Sequence, residues 1–78
     1  MEGLVQVDEE LKDFLNVTGF VYLRHNKWDK ARVLFEALHV LFPQDLYYAK
    51  VLSFIYLQVE EYEKALEQAE RLIRQTKD

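Results

Sequence analysis

The residues that could carry chemistry in this chain are two histidines and one acidic cluster. His25 and His39 are each predicted to lie in a helix, and neither has a second His or Cys at the three- or four-residue spacing typical of helical metal sites. The carboxylates of residues 8–10 stand where a helix is predicted to begin, and the helix dipole favours negative charge there. The chain has no cysteine, no glycine-rich phosphate loop and no Ser-His-Asp arrangement. The sequence therefore predicts no catalytic residue, no metal ligand and no cofactor, and it argues against an enzyme.

The composition is that of one small acidic domain. The 78 residues are 50% hydrophobic and 14% aromatic, which is too apolar for a disordered chain. Fourteen acidic against ten basic residues give a net charge of −4, which argues against binding to a nucleic-acid backbone. No apolar run reaches the ~18 residues of a membrane span, and the first ten residues do not resemble an export signal. A soluble cytoplasmic protein is therefore expected.

Few glycines and prolines interrupt the chain, so the pattern predicts long helices. Asp8 and Asp45 are expected to cap the first and third helices, Asn26 to form a left-handed turn, and Pro43 to end the second helix. The predicted helices cover residues 8–25, 28–41, 46–59 and 61–75. Residues 1–7 are expected to form a flexible tail before a single domain of residues 8–78. Since neither Gly nor Pro separates the last two helices, one continuous helix is the alternative there.

An internal repeat organises these helices. Shifting the sequence by 34 residues places residues 12–44 on residues 46–78 with eight identical pairs. The identical pairs are Val17/Val51, Phe20/Phe54, Tyr22/Tyr56, Leu23/Leu57, Lys30/Lys64, Ala31/Ala65, Glu36/Glu70 and Leu38/Leu72. A helix–turn–helix unit that recurs at this period has the spacing of tetratricopeptide repeats.

The chain resembles the tetratricopeptide family in the small, aromatic and proline positions of both units. These positions are Gly19, Tyr22, Trp28, Ala31, Phe35 and Pro43, followed by Ser53, Tyr56, Tyr62 and Ala65. The resemblance implies an all-α fold of two tandem repeats, residues 11–44 and 45–78, with four antiparallel helices in a short α-solenoid. Glu60 departs from the family pattern, since it stands where a turn glycine is usual.

The second helix carries a closer resemblance, to the small tetratricopeptide chaperones of bacterial type III secretion. The matching positions are Ala31, Leu34, Phe35, Leu38 and Leu41. This resemblance implies a cytoplasmic chaperone that holds one secretion-system subunit until export, and the chain length favours the apparatus-assembly chaperones. The alternative is a structural or scaffold unit that packs on its own copies, either a fragment or a designed array.

The two middle helices are too hydrophobic for four helices to cover. Apolar side chains surround most of the circumference of residues 28–42 and 46–59, and a helix of that kind is expected to be buried on every side. Repeat arrays usually need three or more repeats to supply such cover. A protein partner, in a heterodimer, or self-association is therefore expected to cover the remaining apolar surface.

The family resemblance also suggests where a partner binds, because the first helix of each tetratricopeptide pair lines the concave surface. The positions that match the partner-binding ones are Asn16, Phe20, Leu23, Arg24, Tyr47, Lys50, Phe54, Leu57 and Gln58. Phe20 stands where a clamp for a C-terminal carboxylate needs a polar residue, so an amphipathic helix or apolar segment is the expected ligand. The alternative is that Phe20 and Phe54 only pack between the repeats.

Overall fold

The computed structural model describes the backbone of residues 2–76 and the side chains of residues 9–76. All regular structure in these residues is helical: α1 (Glu2–Arg24), α2 (Trp28–Leu41), α3 (Leu46–Gln58) and α4 (Tyr62–Thr76). The predicted all-α class is confirmed. The third and fourth helices are separate, so the alternative of one continuous helix is wrong.

The start of α1 differs from the prediction. The helix begins at Glu2, so Asp8 lies inside it and residues 2–7 are helical backbone and not a tail. This segment contains no proline that would interrupt a helix. A capping residue type such as Asp8 does not by itself prevent the residues before it from being helical. Met1, Lys77 and Asp78 lie outside the described residues.

The predicted cap of α3 is confirmed. The Asp45 carboxylate accepts a hydrogen bond from the backbone N–H of Tyr47 at 3.1 Å, and its other oxygen lies 3.2 Å from Lys12 Nζ. The ammonium of Lys12 also stands 4.7 Å from the centre of the Phe42 ring. Asp45 therefore starts α3 and, at the same time, ties the loop between α2 and α3 to the side of α1.

The α1–α2 and α3–α4 turns share one geometry at positions 34 residues apart. Asn26 and Glu60 both have left-handed backbone, with φ of 58° and 62°. In the first turn Lys27 N–H donates to the Tyr22 carbonyl at 2.8 Å, and in the second Glu61 N–H donates to the Tyr56 carbonyl at the same distance. The left-handed turn predicted at Asn26 is thus present, and the second turn has it without the help of Asn or Gly.

Replacing Glu60 with glycine is expected to stabilise the protein by about 1 kcal/mol, because a non-glycine residue in left-handed backbone is strained. For a domain of this size the melting temperature should rise by roughly 4–8 °C per kcal/mol. Asn26→Gly is the matched control and should change stability less, since asparagine tolerates this conformation. Thermal unfolding of both variants by circular dichroism checks the difference, and a destabilised Glu60→Gly protein would contradict it.

Backbone contacts within the described residues join each helix to the next: α1 to α2, α2 to α3, and α3 to α4. Side-chain contacts link alternate helices, since Asn16 of α1 reaches Tyr48 of α3, and Arg71 of α4 reaches His39 of α2. The Cα atoms extend over 40 × 36 × 15 Å. The shortest extent leaves room for only two helix layers, so α1 and α3 form one layer and α2 and α4 the other.

The core lies at the junction of α2 and α3. The five largest fully buried side chains all belong to these two helices: Tyr48, Phe35, Leu38, Leu52 and Ile55. In the described parts of the two outer helices, by contrast, the buried residues are small: Gly19 in α1 and Ala65 in α4. The two outer helices are therefore held by small residues and leave most of their large apolar side chains exposed.

Gly19 allows α1 and α2 to approach each other closely. A Cβ atom at this position would stand 2.6 Å from Phe35 Cε2 and 2.8 Å from Phe35 Cζ, which is far inside van der Waals contact. The matching residue in α3, Ser53, donates from its hydroxyl to the carbonyl of Ala65 in α4 at 3.2 Å. Small residues at these two positions thus face the second helix of each pair, as the repeat alignment predicts.

Candidate protein-binding face

The candidate site is the outer surface of α1 and α3, here called the α1–α3 face, and the Asn16 amide joins its two helices. Asn16 Nδ2 donates to the Tyr48 hydroxyl at 2.8 Å and to the Lys12 carbonyl at 3.0 Å. Both amide hydrogens are therefore engaged inside the protein, and the residue is half-buried. Asn16 was predicted to contact a partner. In the structure its side chain links α1 to α3, the two helices on which that partner would bind.

Three apolar side chains dominate the α1–α3 face. Phe20 on α1 is 53% exposed, and Phe54 and Leu57 on α3 are 49% and 51% exposed. Phe54 lies edge-on against the indole of Trp28, with ring centres 5.7 Å apart. Phe20 and Phe54 thus keep about half of their surface in solvent, and the contact with Trp28 orients the Phe54 ring.

Two other predicted residues support this surface from its sides. Leu23 is half-buried and packs against the core, so it has less surface to offer than the helical pattern predicts. Tyr47 is 49% exposed and packs edge-on against Tyr48, with ring centres 5.6 Å apart. Tyr47 therefore adds exposed aromatic surface near the start of α3, where its ring packs against the buried Tyr48.

Of the four polar residues predicted to bind a partner, Asn16 is half-buried and the other three are exposed. Arg24, Lys50 and Gln58 are exposed, Arg24 at the end of α1 and Gln58 at the end of α3. Two of the three carry positive charge in a chain of net charge −4. A partner with carboxylates beside its apolar side chains would find local charge complementarity here.

Tyr56, a buried tyrosine, fixes α3 against α2. This contact was not predicted from the sequence. The Tyr56 hydroxyl donates to Glu36 Oε2 at 2.6 Å. Burial and this hydrogen bond to Glu36 raise the pKa of Tyr56, so the phenol stays protonated and remains a donor. The signal was present in the repeat, since both residues recur as the identical pairs Tyr22/Tyr56 and Glu36/Glu70.

His39 takes part in a contact between two helices, and His25 lies at the protein surface. His39 Nε2 lies 3.0 Å from Arg71 Nη1, and burial and the Arg71 charge lower the pKa of His39. The neutral imidazole can then accept the guanidinium hydrogen bond, which links α2 to α4. His25 is exposed at the turn after α1. In the described part of the chain, no three His, Asp or Glu side chains lie together as metal ligands would.

Comparison of the chain with protein-family models, with curated proteins and with solved structures gave no match. Among the helices of residues 2–76, none combines the length and apolar character needed to cross a membrane.

Proposed function

We propose that this protein is a non-enzymatic binding module that masks an apolar helical segment of another protein on its α1–α3 face. The observation that carries the proposal is the exposure of Phe20, Phe54 and Leu57 on helices whose other sides pack in or against the core. Preformed apolar surface of this kind suits an amphipathic helix, whose anchor residues lie one or two turns apart. Aromatic side chains near the centre of such a surface can each contribute about 2 kcal/mol or more to binding.

Assignment to the tetratricopeptide family is part of this proposal, and the recurring contacts support it. The ammonium groups of Lys30 and Lys64 stand over the rings of Tyr22 and Tyr56, both at 5.8 Å. The left-handed turns also share their hydrogen bonds at the same 34-residue separation. The proposed repeats are residues 11–44 and 45–78, and α1 and α3 are then the first helices of each pair, which line the binding surface in that family.

The biological setting is proposed from the same resemblance. A bacterial, cytoplasmic chaperone of a type III secretion subunit needs an apolar surface that holds its client before export, and the α1–α3 face supplies one. The polar clusters that the structure does contain have structural roles: Tyr56–Glu36 fixes α3 on α2, and His39–Arg71 links α2 with α4. This supports a binding role over catalysis.

The test is the double change Phe20→Asp and Phe54→Asp. A client segment would first be identified by co-purification and mass spectrometry, then synthesised, and its affinity for each variant measured by calorimetry. Two buried carboxylates in place of two aromatic anchors should weaken binding by at least about a hundredfold. Leu57→Asp is the second variant, since Leu57 has no ring contact with Trp28 to lose. It should weaken binding with full helicity.

The matched control is Val33→Asp with Val40→Asp. Both valines are exposed on α2, 61% and 77% respectively, and α2 belongs to the other helix layer. This variant carries the same added charge as the Phe20/Phe54 variant and should bind the segment normally. Undiminished binding by the Phe20/Phe54 and Leu57 variants would refute the proposed face, as would equal loss in the control.

A further inference from the structure

Both ends of the helix array present apolar surface to solvent. At the N-terminal end, α1 exposes Phe14 by 64%, Val17 by 64% and Val21 by 46%, and these residues form the N-terminal end face. At the other end, α4 exposes Tyr62 by 60%, Leu66 by 60% and Ile73 by 63%, which form the C-terminal end face. End helices that stay uncovered in a helical array usually carry polar outer faces, whereas these two faces expose six large apolar side chains.

The packing of α2 on α3 inside the protein shows which kind of helix can cover the N-terminal end face. The residues 34 positions after Phe14, Val17 and Val21 are Tyr48, Val51 and Ile55 of α3. Tyr48 and Ile55 are 1% and 0% exposed, Val51 packs against the same core, and the Tyr48 ring contacts Phe35 of α2. The N-terminal end face therefore has the residue pattern of a surface that receives a helix like α2.

The C-terminal end face is the other half of that contact. In the repeat alignment α4 corresponds to α2, with Tyr62 at the position of Trp28, Leu66 at Arg32 and Ile73 at His39. At two of these three positions, a charged or titratable residue of α2 is thus replaced by an aliphatic residue in α4. These α4 positions therefore carry apolar side chains, and no further helix lies over them in the described structure.

The individual contacts across the α2–α3 junction have counterparts at the two ends. The Tyr56–Glu36 hydrogen bond of 2.6 Å is matched by Tyr22 on α1 and Glu70 on α4, the same two residue types. The Trp28–Phe54 ring contact is matched by Tyr62 and Phe20, again two aromatic residues. The Phe35–Tyr48 contact is matched by Ala69 and Phe14, a large ring facing a small residue.

We infer that the protein associates head to tail with its own copies, the C-terminal end face of one copy packing on the N-terminal end face of the next. Each such junction repeats the α2–α3 contact between molecules, including a Tyr22–Glu70 hydrogen bond across the boundary. The two faces of a junction differ, so the contact is heterologous and adds copies in a ring or an open filament. The α1–α3 face would continue from copy to copy along the assembly.

The test uses two single variants, Phe14→Glu at the N-terminal end face and Leu66→Glu at the C-terminal end face. The size of the full chain is measured by chromatography with light scattering up to about 100 μM, and helicity by circular dichroism. The unmodified protein should exceed a dimer, with a mass that grows with concentration. Each variant alone should be a helical monomer, since every junction would bury one carboxylate without a partner.

The equimolar mixture of the two variants is the decisive sample. The Phe14→Glu chain keeps an intact C-terminal end face and the Leu66→Glu chain an intact N-terminal end face, so the mixture should form dimers and nothing larger. Val40→Glu is the matched control, because this 77% exposed residue lies on neither end face, and it should assemble like the unmodified protein.

Other outcomes overturn the inference. A two-fold contact between α1 helices would leave Leu66→Glu dimeric by itself, and one between α4 helices would leave Phe14→Glu dimeric. A monomer at every concentration of the unmodified protein would show that another molecule, or none, covers these faces. The Leu66→Glu variant keeps the α1–α3 face unchanged, so client binding measured on it separates failure of the proposed function from failure of this inference.

Discussion

Replacing Gly19 with leucine is expected to lower the free energy of unfolding by about 1–3 kcal/mol or more, through overpacking between α1 and α2. The first atom of any side chain here would already stand 2.6 Å from the Phe35 ring. Phe35 is 1% exposed and lies against Tyr48, so its ring has no free space to move into. The loss should appear even though leucine has a helix propensity better than that of glycine by roughly 0.8 kcal/mol.

The control for this prediction is a double-mutant cycle with Gly19→Ala and Phe35→Leu, measured by chemical denaturation. Alanine adds only the Cβ atom, and leucine at residue 35 removes the ring that this atom would strike. If the contact is as described, the two changes together should destabilise the protein less than the sum of the single changes. Strict additivity, or a Gly19→Leu protein as stable as its parent, would place α1 and α2 farther apart than in this structure.

Phe35→Ala is the second large effect, and we expect it to lower the free energy of unfolding by about 3–5 kcal/mol. Phe35 is the residue that contacts both neighbours of α2, since its ring faces Gly19 in α1 and Tyr48 in α3. Its removal opens a cavity at the junction on which the whole array depends. For a domain with about 0.05–0.15 kcal/mol of stability per residue, such a loss is a large part of the total.

Phe54→Ala is the matched control for Phe35→Ala, because it deletes the same ring from an exposed position. Phe54 keeps 49% of its surface in solvent and packs its ring against Trp28, so the change should be far smaller. Urea denaturation of both variants, followed by circular dichroism, gives the comparison. Equal losses for the two phenylalanines would contradict the placement of the core at the α2–α3 junction.

Local sequence signals predicted the parts of the fold that single residues determine. Pro43 and the Asp45 cap fixed the end of α2 and the start of α3, and Asn26 marked the first turn. The second turn carried no such signal, since Glu60 adopts left-handed backbone without being one of the residue types that favour it. The early start of α1 was missed for a related reason, because no breaker precedes Asp8.

The candidate site was predictable to the extent that it follows helix periodicity. Helix periodicity placed Phe20 on the side of α1 away from the core, and the family resemblance placed Phe54 and Leu57 on the same binding surface; all three side chains are exposed. Periodicity could not show that Leu23 is half-buried against the core, or that the Asn16 amide binds the Tyr48 hydroxyl, because both depend on how the helices pack together. Whether a partner binds this face stays a prediction.

The short connections between neighbouring helices have a consequence for how the chain folds during synthesis. Residues 25–27, 42–45 and 59–61 join the four helices, so each contact between successive helices requires only a small loop to close. Such local topology is associated with fast folding. The contact of Gly19 with Phe35 can form as soon as α2 leaves the ribosome, but Phe35 gains its second neighbour, Tyr48, only when α3 follows. Until then α3 is not present to cover Phe35 and Leu38. The nascent chain therefore passes through a stage in which these core residues are exposed, before α4 has been synthesised.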